Sequence, residues 1–163
     1  MGAMTDDDRD RIERELTLLV RRTQRIHVRL PGVARHVERA AYAILGRLHD
    51  DGPMRLTALA TLFGLDVSTV SRQVQSLQAE GLISRSADPG DRRAALIQIT
   101  EHGTEVLRGM RAARRELLRD LTDSWPARDR ERFADLLERF NEGVAEKLGG
   151  APDSLPQKGL VRD

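Results

Sequence analysis

The chain has 163 residues, of which 39% are hydrophobic, 33% are charged and 3% are aromatic, and its formal net charge is +1. This composition favours helices with solvated faces over a β-sandwich, whose strands need aromatic and β-branched residues. The near-zero net charge means that any affinity for nucleic acid must come from a local basic surface. Cysteine is absent, which excludes disulfides, thiolate metal ligands and thiol-based redox sensing.

The two ends of the chain carry little information on function. Residues 1–4 (Met-Gly-Ala-Met) resemble a cloning remnant, and residues 149–163, rich in Gly, Pro and polar side chains, are expected to form a disordered tail. No apolar segment approaches the roughly 20 residues that a membrane span needs, and no signal peptide is recognisable. We therefore expect a cytoplasmic protein without membrane contact.

Helices dominate the first half of the chain. Apolar residues recur at spacings of three and four over Asp6–Val28, which predicts a long amphipathic helix that ends before Pro31-Gly32. A second helix is predicted over Ala34–Asp50 and a short third one over Leu56–Phe63. Gly64 ends the third helix, because glycine tolerates a positive φ.

The periodicity changes after the fourth helix, which is predicted to begin with Asp66 as its N-cap and to end at Glu80. Leu82–Arg85 and Leu96–Ile99 are strand-like, and the segment Asp88–Arg93 between them is predicted to be a turn. A long fifth helix over 101–123 and a sixth over 127–148 complete the chain. The order indicates a mainly α protein with a small β-hairpin (α+β).

The fourth helix has two contrasting faces. One face is apolar and is expected to pack inward: Val67, Val70, Val74 and Leu77. The opposite face offers hydrogen-bonding groups and no carboxylate: Ser68, Thr69, Arg72, Gln75 and Ser76. Arginine reads guanine and glutamine reads adenine in the major groove, whereas a carboxylate would be repelled by phosphate. The face therefore indicates DNA binding, with a merely solvated polar face as the alternative.

The hairpin adds a second basic element close to this helix. Arg92 and Arg93 follow Asp91 at the predicted turn, and arginines on a hairpin enter minor grooves, where the potential is most negative. A nearby aspartate can orient one guanidinium. Such a turn alone is an ordinary surface loop, but it gains meaning directly after a helix–turn–helix.

The middle of the chain resembles the MarR-type (multiple antibiotic resistance regulator) winged-helix proteins over residues 34–104. The matching segments, in order, are Gly52-Pro53, Leu56–Ala60, Leu62–Gly64, Ser71–Val74, Leu77–Ile83, Asp88–Arg93, Leu96–Thr100 and Gly103. The hairpin pattern with its trailing Thr-x-x-Gly is the most specific part. The outer helices match in length and placement only.

This resemblance implies a winged helix-turn-helix DNA-binding domain at 34–100 and a helical dimerisation region at 5–33 and 101–148. It implies a bacterial transcriptional regulator, by family default a repressor, that binds a short inverted repeat in double-stranded DNA as a homodimer. The expected major-groove residues are Ser68, Thr69, Arg72, Gln73, Gln75 and Ser76. The expected wing residues are Asp91, Arg92 and Arg93, and the expected phosphate contacts are Arg55, Thr57 and Ser71.

One departure concerns the wing. The family often has a basic residue where this chain has Gly90, which leaves open whether Arg92 or Arg93 enters the minor groove; we favour Arg93. The terminal helices agree with the dimer that the resemblance implies, because they carry more apolar surface than one small domain needs.

Family members often bind small aromatic or anionic effectors between the dimer helices and the winged domain. The residues that we place in this cleft by position alone are Arg22, His27, His36, Tyr42 and Arg47. His27 and His36 flank the break at Pro31-Gly32, where a solvated or hydrogen-bonded pair is favoured over a metal site. We expect no metal and no cofactor.

Two other classes of function remain as alternatives. An enzyme is disfavoured, because the sequence lacks a Gly-rich phosphate loop, a Gly-x-Ser-x-Gly elbow and a His-Glu-x-x-His pair. A winged-helix module used only for protein–protein contacts would not need Arg72 and the hairpin arginines on one side.

Overall fold

The computed structural model describes residues 5–23 and 38–147. Its elements, in chain order, are α1 (Asp6–Thr23), α2 (Glu38–Asp50), β1 (Met54–Arg55), α3 (Leu56–Phe63), α4 (Val67–Ala79), β2 (Ile83–Asp88), β3 (Asp91–Ile99), α5 (Glu101–Thr122) and α6 (Ala127–Lys147). The expected fold class, mainly helical with a small hairpin, is confirmed. The expected cloning remnant, the helix ends at Val28, Ala34 and Leu148, the tail, and His27 and His36 lie outside the described residues.

The sheet is larger than the sequence predicts. Its three antiparallel strands have the order β1-β3-β2, and β1 pairs Met54 with Ile97 and Arg55 with Leu96. The turn predicted over Asp88–Arg93 is present but shorter, because β2 extends to Asp88 and β3 begins at Asp91, so that only Pro89-Gly90 connects the two strands. The pair between Asp88 and Asp91 closes the hairpin, so these two polar residues belong to the strands.

The core lies where α2, α3 and α4 meet the sheet and the first half of α5. Its largest fully buried side chains are Ile44, Leu45, Leu59, Val70, Val74, Leu77, Leu82, Ile97 and Leu107. Burying a Val, Leu or Ile side chain stabilises a fold by roughly 1.5–3 kcal/mol, so this cluster fixes α4 and the hairpin relative to each other.

A tight joint connects α4, the hairpin and α5. Gly81 has a left-handed φ of +70°, and the Leu82 N–H then donates to the Leu77 carbonyl at 3.0 Å. The Thr100 hydroxyl donates to the Gly81 carbonyl at 2.8 Å and accepts from the Gly103 N–H at 2.9 Å, which caps α5. The Thr-x-x-Gly pattern thus binds α5 to the end of α4.

The helices at the two ends of the chain leave their apolar stripes in solvent. No residue of α6, and none of α1 whose side chain is described, is fully buried. The exposed apolar side chains include Ile12, Leu16, Leu19 and Val20 on α1, Leu118 and Leu121 on α5, and Phe133, Leu136, Leu137, Phe140 and Val144 on α6. None of the helices in the described ranges is long and apolar enough to cross a membrane.

Candidate nucleic-acid interface

A helix–turn–helix is formed by α3 and α4. Gly64 ends α3 in the left-handed conformation, with φ +61° and ψ +33°, and the Leu65 N–H donates to the Ala60 carbonyl at 3.0 Å. Asp66 occupies the N-cap position of α4 as expected, but its side chain accepts no capping hydrogen bond. The sharp turn therefore depends on the glycine.

The amphipathic character of α4 follows the sequence prediction except at its start. Val70, Val74 and Leu77 are completely buried, whereas Val67 is 45% exposed, so its predicted inward packing is wrong. Val67 lies in the first turn, at the edge of the core. Three buried side chains spaced by four and three residues are sufficient to hold one face of α4 against the domain.

The outer face of α4 presents the residues expected to contact bases. Ser68, Arg72 and Gln75 are exposed, while Thr69, Gln73 and Ser76 are half-buried. The helix sequence contains no carboxylate, and Arg72 is its one charged residue. The face can therefore donate and accept hydrogen bonds without repelling phosphate.

The expected phosphate-contact residues lie at different places around this face. Thr57 and Thr69 line an open cleft of about 600 Å³ between α3 and α4. Ser71 is half-buried on α4. The cleft also exposes Leu65 and Val67, so the rim beside the polar face is apolar. Thr57 of α3 and Thr69 of α4 thus line the same cleft, although they are 12 positions apart in sequence.

The hairpin carries an irregularity where its arginines lie. The strand pairs are Ala87 with Ala95 and then Asp88 with Asp91, so residues 92–94 of β3 have no partner position on β2. Such a bulge bends a strand and changes the direction of its side chains. Arg92 and Arg93 belong to this bulge, and their side chains lie outside the described part of the structure.

An ion pair that the sequence did not predict lies at the base of the turn. The Arg55 Nε donates to Asp88 Oδ2 at 2.6 Å, and the Gly90 N–H donates to Asp88 Oδ1 at 2.8 Å. The Gly90 N–H and the Arg55 guanidinium together hold the pKa of Asp88 below its usual range. Asp88 is therefore a carboxylate at neutral pH, with partners for both oxygens.

The residues that we expected to line an effector cleft are only partly described. The Arg114 guanidinium stacks on the Tyr42 ring, 3.5 Å from its centroid, and Arg47 pairs with Asp51 at 3.0 Å. Arg22 is exposed near the end of α1. Sequence reasoning missed Arg114, because its contact joins α2 to the distant α5. Within residues 5–23 and 38–147, no group of His, Asp or Glu side chains is arranged to hold a metal.

A helix–turn–helix followed by a hairpin in a small antiparallel sheet defines a winged helix-turn-helix protein. The model of the MarR family matches residues 37–95. The HTH-type transcriptional regulator YxaD of Bacillus subtilis is 37% identical over 135 residues, which cover 83% of this chain and 94% of that protein. The chain therefore belongs to the MarR family and is a DNA-binding transcriptional regulator.

Two further comparisons agree with this assignment. The HTH-type transcriptional repressor NicR of Pseudomonas putida is 33% identical over 76 residues, which cover 47% of this chain and 48% of that protein. The crystal structure of transcriptional regulator Tm0710 from Thermotoga maritima is 29% identical and covers 87% of this chain and 96% of its own, with a TM-score of 0.55.

Proposed function

We propose that the protein is a repressor that binds a short inverted repeat in double-stranded DNA as a homodimer. The observation that carries this proposal is the outer face of α4, which exposes Arg72 and Gln75 without a neighbouring carboxylate on the helix. The core holds that helix rigidly, because Val70, Val74 and Leu77 are fully buried on its other side. Rigid presentation of such a face suits the major groove.

Each group of expected site residues has a role in this proposal. The major-groove contacts are Ser68, Thr69, Arg72, Gln73, Gln75 and Ser76. Arg92 or Arg93, with Asp91 beside them, supplies the wing contact in the minor groove, and Thr57 and Ser71 bind phosphate. Separate alanine variants of Arg92 and Arg93 identify the wing contact, because removal of a phosphate or groove cation flattens the salt dependence of binding.

A second copy of this chain is the partner that best covers the exposed apolar helices. The stripes on α1, the second half of α5 and α6 leave large apolar side chains in solvent, and exposed apolar surface of this kind usually marks an interface. We infer that residues 5–33 and 101–148 form the dimerisation region and residues 34–100 the DNA-binding domain. Since the two copies of α4 must enter successive major grooves, they lie about one DNA turn (~34 Å) apart in the binding-competent dimer.

An effector site is a further part of this proposal. The Arg114 guanidinium of α5 stacks on the Tyr42 ring of α2, and Arg47 lies five residues further along α2. An aromatic or anionic molecule is the ligand that such groups would recognise. It would release the DNA only if it bound preferentially to a dimer with a different α4 spacing.

The proposal is tested by replacing Arg72 with alanine and measuring affinity for a duplex recovered by selection from genomic DNA. Loss of a base contact is expected to weaken binding by roughly 1–3 kcal/mol and to relax specificity at one base pair. Arg108→Ala removes another exposed arginine, in the first half of α5 and outside its exposed apolar stripe, and is the control. Equal affinity of Arg72→Ala and the wild type would contradict the proposed reading of the α4 face.

The same experiment separates the alternative class. A winged-helix module that makes only protein–protein contacts would show no duplex binding by the wild type at low salt. The Arg72→Ala variant would then give the same negative result as the wild type.

A further inference from the structure

We infer that Arg55 is a positioning residue of the wing, which acts on DNA binding through Asp88 instead of binding phosphate. The inference rests on the proposed DNA-binding function. Arg55 lies in β1, opposite Leu96 of the middle strand, whereas Asp88 is the last residue of β2. The guanidinium therefore reaches across β3 from one edge of the sheet to the base of the turn.

Both oxygens of the Asp88 carboxylate accept hydrogen bonds in this arrangement. Its Oδ2 accepts from the Arg55 Nε at 2.6 Å and also contacts the Arg55 Nη2, while its Oδ1 accepts from the Gly90 N–H at 2.8 Å. Asp88 is only 9% exposed. A buried carboxylate that loses a charged donor is strongly disfavoured, so Arg55 stabilises the one conformation in which the Pro89-Gly90 turn is closed.

The position of the Arg55–Asp88 ion pair explains why it affects DNA binding. The pair Asp88–Asp91 is the last strand pair of the hairpin, and the bulge with Arg92 and Arg93 follows it directly. A bulge bends its strand and re-aims the side chains there, so movement of the flanking strand pair is expected to move the bulge with it. Arg55 and Asp88 thereby fix the strand pair next to the bulge in which the two arginines lie.

The charges argue against Arg55 as an independent phosphate contact. Two of its nitrogens already bind one carboxylate oxygen, and the pair as a whole carries no net charge. Since salt-dependent affinity comes from net cationic contacts that release counterions, a neutral pair contributes little to it. The Arg55 side chain is 47% exposed, so a direct contact with DNA would use only the nitrogens that Asp88 leaves free.

The positioning role of Arg55 and a purely electrostatic role predict opposite effects of Asp88→Ala on the affinity for DNA. Asp88→Ala removes a negative charge from the wing, which on charge alone strengthens binding to DNA. The positioning role predicts that Asp88→Ala and Arg55→Ala each weaken binding, roughly 3- to 30-fold, and that the double variant is no weaker than the weaker single variant. Glu80→Gln removes one exposed negative charge at the end of α4 and is the control, for which no loss is expected.

Arg55→Lys distinguishes charge from geometry, because lysine keeps the positive charge but lacks the planar fork. The positioning role predicts weaker binding with an unchanged salt slope. In the free full-length variants, faster hydrogen exchange of the Gly90 amide is expected while a cooperative thermal transition is retained, which shows that the turn has opened in a folded protein. Additive losses, or wild-type affinity of Arg55→Lys, would overturn the inference. Wild-type protein that binds no duplex would instead refute the proposed function.

Discussion

Gly103 allows α5 to approach the hairpin more closely than any other residue would. A Cβ at this position would lie 2.0 Å from the Leu82 carbonyl oxygen and 2.9 Å from Ile99 Cγ1. The Leu82 carbonyl is itself held in place, because it accepts the Thr100 N–H at 3.1 Å. Gly103→Ala therefore forces backbone, and not a flexible side chain, to move.

The size of the effect follows from two opposing terms. On an unobstructed helix, replacing glycine by alanine stabilises a protein by up to about 1 kcal/mol. Overpacking against a well-ordered neighbour costs roughly 1–3 kcal/mol, and occasionally more. A carbonyl oxygen at 2.0 Å must shift by about an ångström or more, which places the cost at the upper end of this range. After the helix gain is subtracted, we expect Gly103→Ala to lower the free energy of unfolding by about 2 kcal/mol.

Urea denaturation at fixed protein concentration measures this change, with Gly46→Ala as the matched control. Gly46 lies inside α2, and a Cβ there would meet no atom within 4 Å, so this variant is expected to gain about 0.5–1 kcal/mol. The two substitutions are chemically identical and differ only in the space available. If Gly103→Ala were as stable as the wild type, the close contact between α5 and the Leu82 carbonyl would be contradicted.

Three other predictions concern the ion pairs and the turn. Arg111 pairs with the nearly buried Asp50 at 3.0 Å, and Arg111→Ala is expected to cost about 1.5–3 kcal/mol in urea denaturation, non-additively with Asp50→Ala. Because the pKa of Asp88 is lowered by folding, its stabilising contribution is complete above the ordinary aspartate pKa and is lost as the pH falls through the lower folded value. The Tm difference between wild type and Asp88→Asn should therefore be constant from pH 5 to 8 and shrink below about pH 4; a difference that grows on acidification would contradict this. Gly90→Ala should leave the Tm unchanged, because a Cβ there meets Asp88 Oδ1 at an ordinary 3.4 Å, and a fall of many degrees would show that the turn needs glycine.

The helical part of the fold could be predicted closely from the sequence. The bounds of α3 agree with the prediction, because its end depends on a local signal, the left-handed Gly64. The ends of the hairpin strands could not be predicted from such a local signal. Ser84, Ala87 and Ala95 have little strand propensity, and their conformation is set by cross-strand pairing.

The candidate site also contains residues that local sequence patterns predict and residues that they do not. The periodicity of α4 was sufficient to predict that Arg72 is exposed and that Val74 is buried, since both follow from helical geometry. The contact between Arg55 and Asp88 spans 33 positions and uses a two-residue strand with no recognisable pattern. The sequence therefore suggested Asp91 as the aspartate that orients an arginine, and Arg55 as a phosphate contact; only the sheet topology reveals the pair between Arg55 and Asp88.

The central claim is that a dimer of this chain reads an inverted repeat with α4 and the wing. Selection of bound fragments from a random or genomic DNA pool, followed by sequencing, tests it most directly. We predict enrichment of one palindromic site whose half-site centres are about 10 base pairs, one helical turn, apart, and loss of that enrichment with Arg72→Ala. Failure of the wild-type protein to enrich any sequence, or enrichment of a site without two-fold symmetry, would contradict the account.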